Sequence, residues 1–77
     1  MEDRICRIVE AALALPAGSV TAEGTAETIA SWDSLGLLSI LSALEKEFGA
    51  RVAAIDDLSG VRSVKDIVAL FEREGIP

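Results

Sequence analysis

Apolar side chains recur along this chain at intervals of three and four rather than two, a spacing that predicts helices. Ile5, Ile8, Val9, Ala12 and Leu13 fall at i, i+3, i+4, i+7 and i+8, which sets them along one face of a helix over residues 3–15. Asp3 is its expected N-cap, Glu2 also favours the positive end, and Pro16 followed by Gly18 is the expected stop. Leu37, Ile40, Leu41, Leu44 and Phe48 paint a second stripe over residues 34–49, closed by Gly49. Val64, Ile67, Val68 and Phe71 mark a third over residues 63–74, opened by Ser63-x-x-Asp66, which resembles a capping box, and ended by Gly75 and Pro77. Residues 50–62 are mixed; Ile55, Leu58 and Val61 fit one or two helical turns that Asp56 and Asp57 can cap. No segment alternates like a strand, and there is no internal repeat. The pattern predicts an all-α fold, a small four-helix bundle of three longer helices and one short one, in a single domain over residues 1–77.

The first and second helices are joined by a long loop, residues 16–33, rich in small and polar side chains and without helical period. Loops of this length are uncommon in small domains and are more often functional than accidental. Val20 and Ile29 are expected to tuck it onto the core, and Trp32 to pack at its far end. Leu35 and Leu38 lie partly off the buried stripe of the second helix, which suggests a contact surface at its open end.

Composition narrows the picture. Of the 77 residues, 51% are hydrophobic, which excludes a disordered chain, and Trp32, Phe48 and Phe71 are the only aromatics, so the core is aliphatic and deformable. A net charge of −6 makes nucleic acid a poor partner and a basic protein a better one. No apolar run reaches the length of a membrane span and Met1-Glu2-Asp3 is not a signal-peptide start, so no membrane association and a cytoplasmic location are expected. A single cysteine, Cys6, rules out an internal disulfide and a cysteine-based metal site, and is expected to act as a small, partly buried hydrophobe. Asp56-Asp57 lacks the spacing of a calcium loop, so no metal ligands are expected.

The inventory of reactive groups argues against an enzyme. There is no His and no Tyr, and neither Cys6 nor Ser34 has a general base beside it in sequence, so no catalytic residues are assigned. Ser34 stands out for another reason. It falls where the loop becomes the second helix, with Asp33 beside it, and a phosphate attached there would sit at the favourable end of the helix dipole. Gly36 keeps the first turn uncrowded. Two readings of the residues stand side by side: Ser34 as a covalent attachment point, or Asp33 or Ser34 as a simple N-cap.

From Arg4 to about Phe71 the chain resembles the acyl carrier protein family. The resemblance rests on the first-helix stripe, the long loop, Asp33-Ser34-Leu35, the run Ala43-Leu44-Glu45-Lys46-Glu47-Phe48-Gly49, and Ser63-Val64-Lys65-Asp66-Ile67. It implies that a phosphopantetheinyl transferase moves 4′-phosphopantetheine from coenzyme A to Ser34, and that acyl or aminoacyl groups then ride on the arm as thioesters between acyl-loading and acyl-processing enzymes. It also implies a monomer whose partner surface lies on the second helix and the residue before it: Asp33, Leu35, Leu38, Ser39, Ser42, Glu45 and Lys46. Many carriers of fatty acid synthesis have an acidic stripe here, whereas this chain has Gly36, Ser39, Ser42 and Lys46. The Trp32-Asp33-Ser34-Leu35-Gly36 form looks more like carriers of polyketide, modified-amino-acid or other specialised pathways. Carriers of nonribosomal peptide modules have two glycines before the serine, which Trp32-Asp33 does not match. The chain opens almost directly in its first helix and closes just after its last, as a free-standing carrier or an excised domain would. A reading from another class is an unmodified helical interaction module that binds through Leu35 and Leu38.

Overall fold

A computed structural model describes residues 1–76. The described residues are all-helical apart from turns, with α1 over Glu2–Ala12, α2 over Ser34–Phe48, α3 over Ala50–Ala53, a 3-10 turn over Asp56–Gly60, and α4 over Val64–Glu74. The predicted architecture of three longer helices and one short one is present. The long helices bury the centre of the stripes their spacing marked, Ile5, Ile8 and Val9 from α1, Ile40 and Leu44 from α2, and Val64, Ile67, Val68 and Phe71 from α4, while Ala12, Leu13, Leu37, Leu41 and Phe48 are half-buried at their edges. α1 packs against both α2 and α4, while the 3-10 turn, with Leu58 buried, touches both α2 and α4. Phe48 and Phe71 meet edge to face with ring centroids 4.9 Å apart, and Arg4 lies over the Phe48 ring at 4.4 Å while pairing with Glu47 at 3.0 Å.

Helix ends differ from expectation in ways that have local causes. α1 is capped from Met1 without a side-chain bond, so Asp3 is not the N-cap; it and Glu2 lie in the first turn, where the helix dipole favours them. The helix stops at Ala12, before residue 15, because Ala14 turns into the left-handed region at φ 56° and Leu15 N–H closes back on the Glu10 carbonyl at 2.8 Å. Pro16 disfavours a helical conformation at Leu15, so the chain must leave the helix before the proline rather than at it. Asp56 and Asp57 make no capping bond to the 3-10 turn; Asp57 instead pairs with Arg73 of α4 at 3.1 Å. Half of the capping box forms: Ser63 Oγ accepts from Asp66 N–H, but the Asp66 carboxylate accepts from Arg62 N–H rather than from Ser63.

The long connection is held by polar bonds as much as by apolar ones. Val20 and Trp32 are buried and Ile29 is half-buried, as expected. The residue that anchors the loop is Glu10, buried although charged. Its Oε2 accepts from the N–H groups of Gly18 and Val20, each at 2.9 Å, and from Arg7, whose guanidinium also donates to the Val20 carbonyl. The Val20 and Gly18 N–H groups, with Arg7, hold its carboxyl below the usual glutamate range, against the opposing effect of burial. Farther along, an isolated antiparallel bridge joins Thr25 to Ser63: Ala26 N–H donates to the Arg62 carbonyl at 2.7 Å and Val64 N–H to the Gly24 carbonyl at 3.0 Å. Cys6 is buried in the core, and burial pushes its thiol pKa up, away from reactivity.

Candidate functional site

Asp33 and Ser34 divide the work at the head of α2. Asp33 is extended at φ −113° and ψ −165°, and its carboxylate accepts from Gly36 N–H at 2.8 Å, so Asp33 is the N-cap. Ser34 is the first helical residue. It is exposed, and its hydroxyl makes no hydrogen bond among the described residues. A cap needs only one side chain, so the Ser34 hydroxyl has no structural task here. The backbone N–H groups of the first turn lack intrahelical acceptors, and only that of Gly36 is taken by Asp33. An anion joined to Ser34 would therefore find both donors and the positive end of a helix of 15 residues.

Gly36 makes this junction possible. A Cβ on Gly36 would collide with the Ser31 carbonyl oxygen and lie 3.0 Å from Leu13 Cδ2. The absence of a side chain lets the loop pass directly under the first turn of α2. Trp32, 5% exposed, pins the same loop end from beneath. Its indole N–H is buried without an acceptor among the described residues, which costs on the order of 1–3 kcal/mol in a folded protein.

A cleft opens beside Ser34, walled by Ala26, Ala30, Trp32, Asp33, Leu37, Ser59, Val61 and Arg62. Its far wall is the segment after the 3-10 turn, brought there by the Ala26–Arg62 backbone bond. Arg62 is the one cation that lines the cleft. No described carboxylate lies within ion-pairing distance of its guanidinium. The residues present thus fit a phosphate-linked group on Ser34: a free hydroxyl, unsatisfied helix donors and a cation within the same cleft.

Comparison of the chain with known family models, with curated proteins and with solved structures found no match.

The other singled-out residues divide into groups. Asp33, Leu35, Leu38, Ser39, Ser42, Glu45 and Lys46 are all exposed, with Leu35 at 76% and Leu38 at 62%. Leu38, Ser39, Ser42 and Lys46 line one shallow depression together with Ala12 and Ala43. Glu45 lies instead beside a different cleft, with Leu41, Val52 and Asp56, and Asp33 belongs to the cleft at Ser34. Sequence reasoning did not single out Glu10, Arg7 or Arg62. Glu10 carried a usable signal, since it lies one helical turn beyond Cys6 on the flank of the apolar stripe. Arg62 carried none, because it reaches Ser34 through the bridge that joins Gly24 and Ala26 to Val64 and Arg62.

Proposed function

We propose that this chain is an acyl carrier protein, modified on Ser34 and not itself an enzyme. The observation that carries this reading is the division of labour at α2: Asp33 caps the helix, which leaves an exposed Ser34 hydroxyl free at the helix head. The sequence resemblance over Asp33-Ser34-Leu35 and Ala43–Gly49 supplies the chemistry. A phosphopantetheinyl transferase would join the Ser34 oxygen to the phosphopantetheine phosphorus of coenzyme A. A phosphodiester bond forms, the pyrophosphate bond of coenzyme A breaks, 3′,5′-ADP leaves, and the serine proton passes to a base of the transferase. Once attached, the 4′-phosphopantetheine arm would supply a terminal thiol that carries acyl or aminoacyl groups as thioesters.

The chain's own residues have simpler duties in this reading. Asp33 fixes the helix start, Gly36 and Trp32 fix the loop beneath it, and the first-turn N–H groups and Arg62 receive the phosphate charge. Tethering raises the effective concentration of the cargo at each partner. Leu35, Leu38, Ser39, Ser42, Glu45 and Lys46, with Asp33, form the face offered to loading and processing enzymes. A face that is apolar and near neutral fits a specialised pathway, such as polyketide assembly, better than housekeeping fatty acid synthesis. The carrier acts as a monomer in the cytoplasm, where coenzyme A is available; no helix among the described residues is long and apolar enough to cross a membrane.

The test is intact mass after incubation with coenzyme A and a broad-specificity phosphopantetheinyl transferase. Wild type should gain one arm and Ser34→Ala none. No gain on either protein removes the carrier reading and leaves an unmodified interaction module presenting Leu35 and Leu38. A gain on both places the attachment elsewhere.

A further inference from the structure

A groove separates α1 from α2 on the surface. Arg4, Arg7, Ile8 and Ala11 stand at i, i+3, i+4 and i+7 on one side of α1, and Ala43, Lys46 and Glu47 face them from α2. Ile8, Ala11 and Ala43 give it an apolar lining, and the two alanines leave hollow what longer side chains would fill. The groove continues into the depression at Leu38, Ser39 and Ser42, with which it shares Ala43 and Lys46. Its charge is a separate observation. The chain has 7 cations against 13 acids, yet three of the cations, Arg4, Arg7 and Lys46, line this groove with a single carboxylate, Glu47. Arg4 pairs with Glu47 at 3.0 Å and Arg7 with Glu10 at 2.9 Å, so the groove stays net positive even with Glu10 included. Lys46 forms no ion pair among the described residues. Both side chains of the Arg4–Glu47 pair are half in water, so an incoming carboxylate can share Arg4 at little cost.

We infer that this groove docks an acidic amphipathic helix of a partner protein, with apolar side chains on Ile8, Ala11 and Ala43 and carboxylates against Arg4, Arg7 and Lys46. A helix fits because the groove is open to solvent, whereas sites for small molecules enclose most of their ligand. Arg4 to Ala11 covers about 10 Å of α1, enough for two turns of a helix laid beside it. The net charge of −6 favours a basic partner for the chain as a whole. At this groove the local charge reverses that preference, and such pairing selects the partner and guides its approach more than it adds affinity. The inference goes beyond the carrier reading and does not rest on it: α1 supplies half of the surface, and Ser34 takes no part.

The test uses the unmodified protein, so that its result is independent of attachment. The probe is an alanine-rich helical peptide of about 15 residues with leucines along one face and glutamates flanking them. Its control has lysine in place of every glutamate. Backbone amide resonances of the nitrogen-labelled protein are followed as each peptide is added. The glutamate peptide should move the amides of Arg4, Arg7, Ala11, Ala43 and Lys46 in a saturable way, and bind severalfold more weakly when salt is raised from about 50 to about 300 mM. The lysine peptide should bind there at least about fivefold more weakly. Ala11→Glu and Lys46→Glu, each checked for folding by circular dichroism, should weaken the glutamate peptide by a similar factor, whereas Ala11→Gln should weaken it less. Equal binding of the two peptides, shifts confined to another face, or no shift at about 1 mM peptide overturns the inference. The same amides moving with protein concentration alone would assign the groove to a second copy of the chain, and tighter binding of decanoate than of the peptide would assign it to a small amphiphilic anion; either result also overturns it.

Discussion

Gly36 is the residue on which the junction turns. In a helix interior, alanine is favoured over glycine by about 1 kcal/mol, because glycine has more backbone freedom to lose. At this position the contact decides the opposite sign. The added methyl would run into the Ser31 carbonyl and press on Leu13, and both belong to chain already pinned, one by the loop end and the other by α1. Overpacking of this kind costs on the order of 1–3 kcal/mol. Gly36→Ala should therefore lower stability in chemical denaturation, whereas propensity alone predicts a rise. A variant as stable as wild type would mean that the loop yields at little cost, and that its path beneath α2 is not set by this contact.

At the scale of elements, the connection between α1 and α2 depends on a carboxylate as well as on its few apolar residues. Glu10 reaches from α1 to two loop N–H groups and is steadied by Arg7. Its carboxyl is held below the ordinary glutamate range in the folded protein, so the ionised form binds the loop more strongly than the protonated form does. The sign follows directly. This stabilisation is complete above the unfolded glutamate pKa of about 4.3, and is lost as pH falls through the lower folded value. Glu10→Gln keeps one acceptor oxygen but removes the charge, so it should be less stable than wild type near neutrality. Between about pH 5 and pH 3 the melting temperature of wild type should fall more steeply than that of Glu10→Gln. Parallel curves would assign the acid sensitivity to other carboxylates. The same clamp explains how a long loop can deliver Trp32 and Asp33 to a fixed place: it is tied near its start by Glu10 and again by the Thr25–Ser63 bridge.

Across the whole molecule, burial separates what holds the fold from what faces outward. Leu38 is 62% exposed and borders the depression that also contains Ser39, Ser42 and Lys46. A charge at such a position should change stability by no more than about 0.5 kcal/mol. Leu38→Glu should therefore keep its helical signal and its denaturation midpoint, while loading on Ser34 or transfer of the acyl group slows. Unfolding of Leu38→Glu would make Leu38 a core residue. Undiminished loading and transfer would place the partner face elsewhere on the surface. The overall charge of −6 does not describe this region, where Lys46 stands beside neutral Ser39 and Ser42. In the proposed carrier, contact here would be governed more by apolar area than by long-range attraction.

Hydrophobic spacing by itself determined the class of fold, the three long helices and the face each one turns inward, because burial of one helical face is a local, periodic requirement. It also placed Ser34 and Asp33 at the head of α2 and marked Leu35 and Leu38 as surplus to the core. What lay beyond the sequence was every feature that depends on two distant segments meeting. Periodicity left open whether Asp33 or Ser34 caps α2; the answer is Asp33, with its carboxylate on the Gly36 N–H. Asp57 looked like a cap and pairs with Arg73, sixteen residues away, because the 3-10 turn lies against α4. Glu10 was not singled out; its place on the flank of the apolar stripe hinted at burial, but the Gly18 and Val20 N–H groups that make a buried carboxylate tolerable come from the path of the loop. Arg62 reaches the cleft at Ser34 through the bridge that joins Gly24 and Ala26 to Val64 and Arg62. A helical period records which side of an element meets the core, but a polar contact is written in the path of the chain between elements, and only the folded molecule fixes that path.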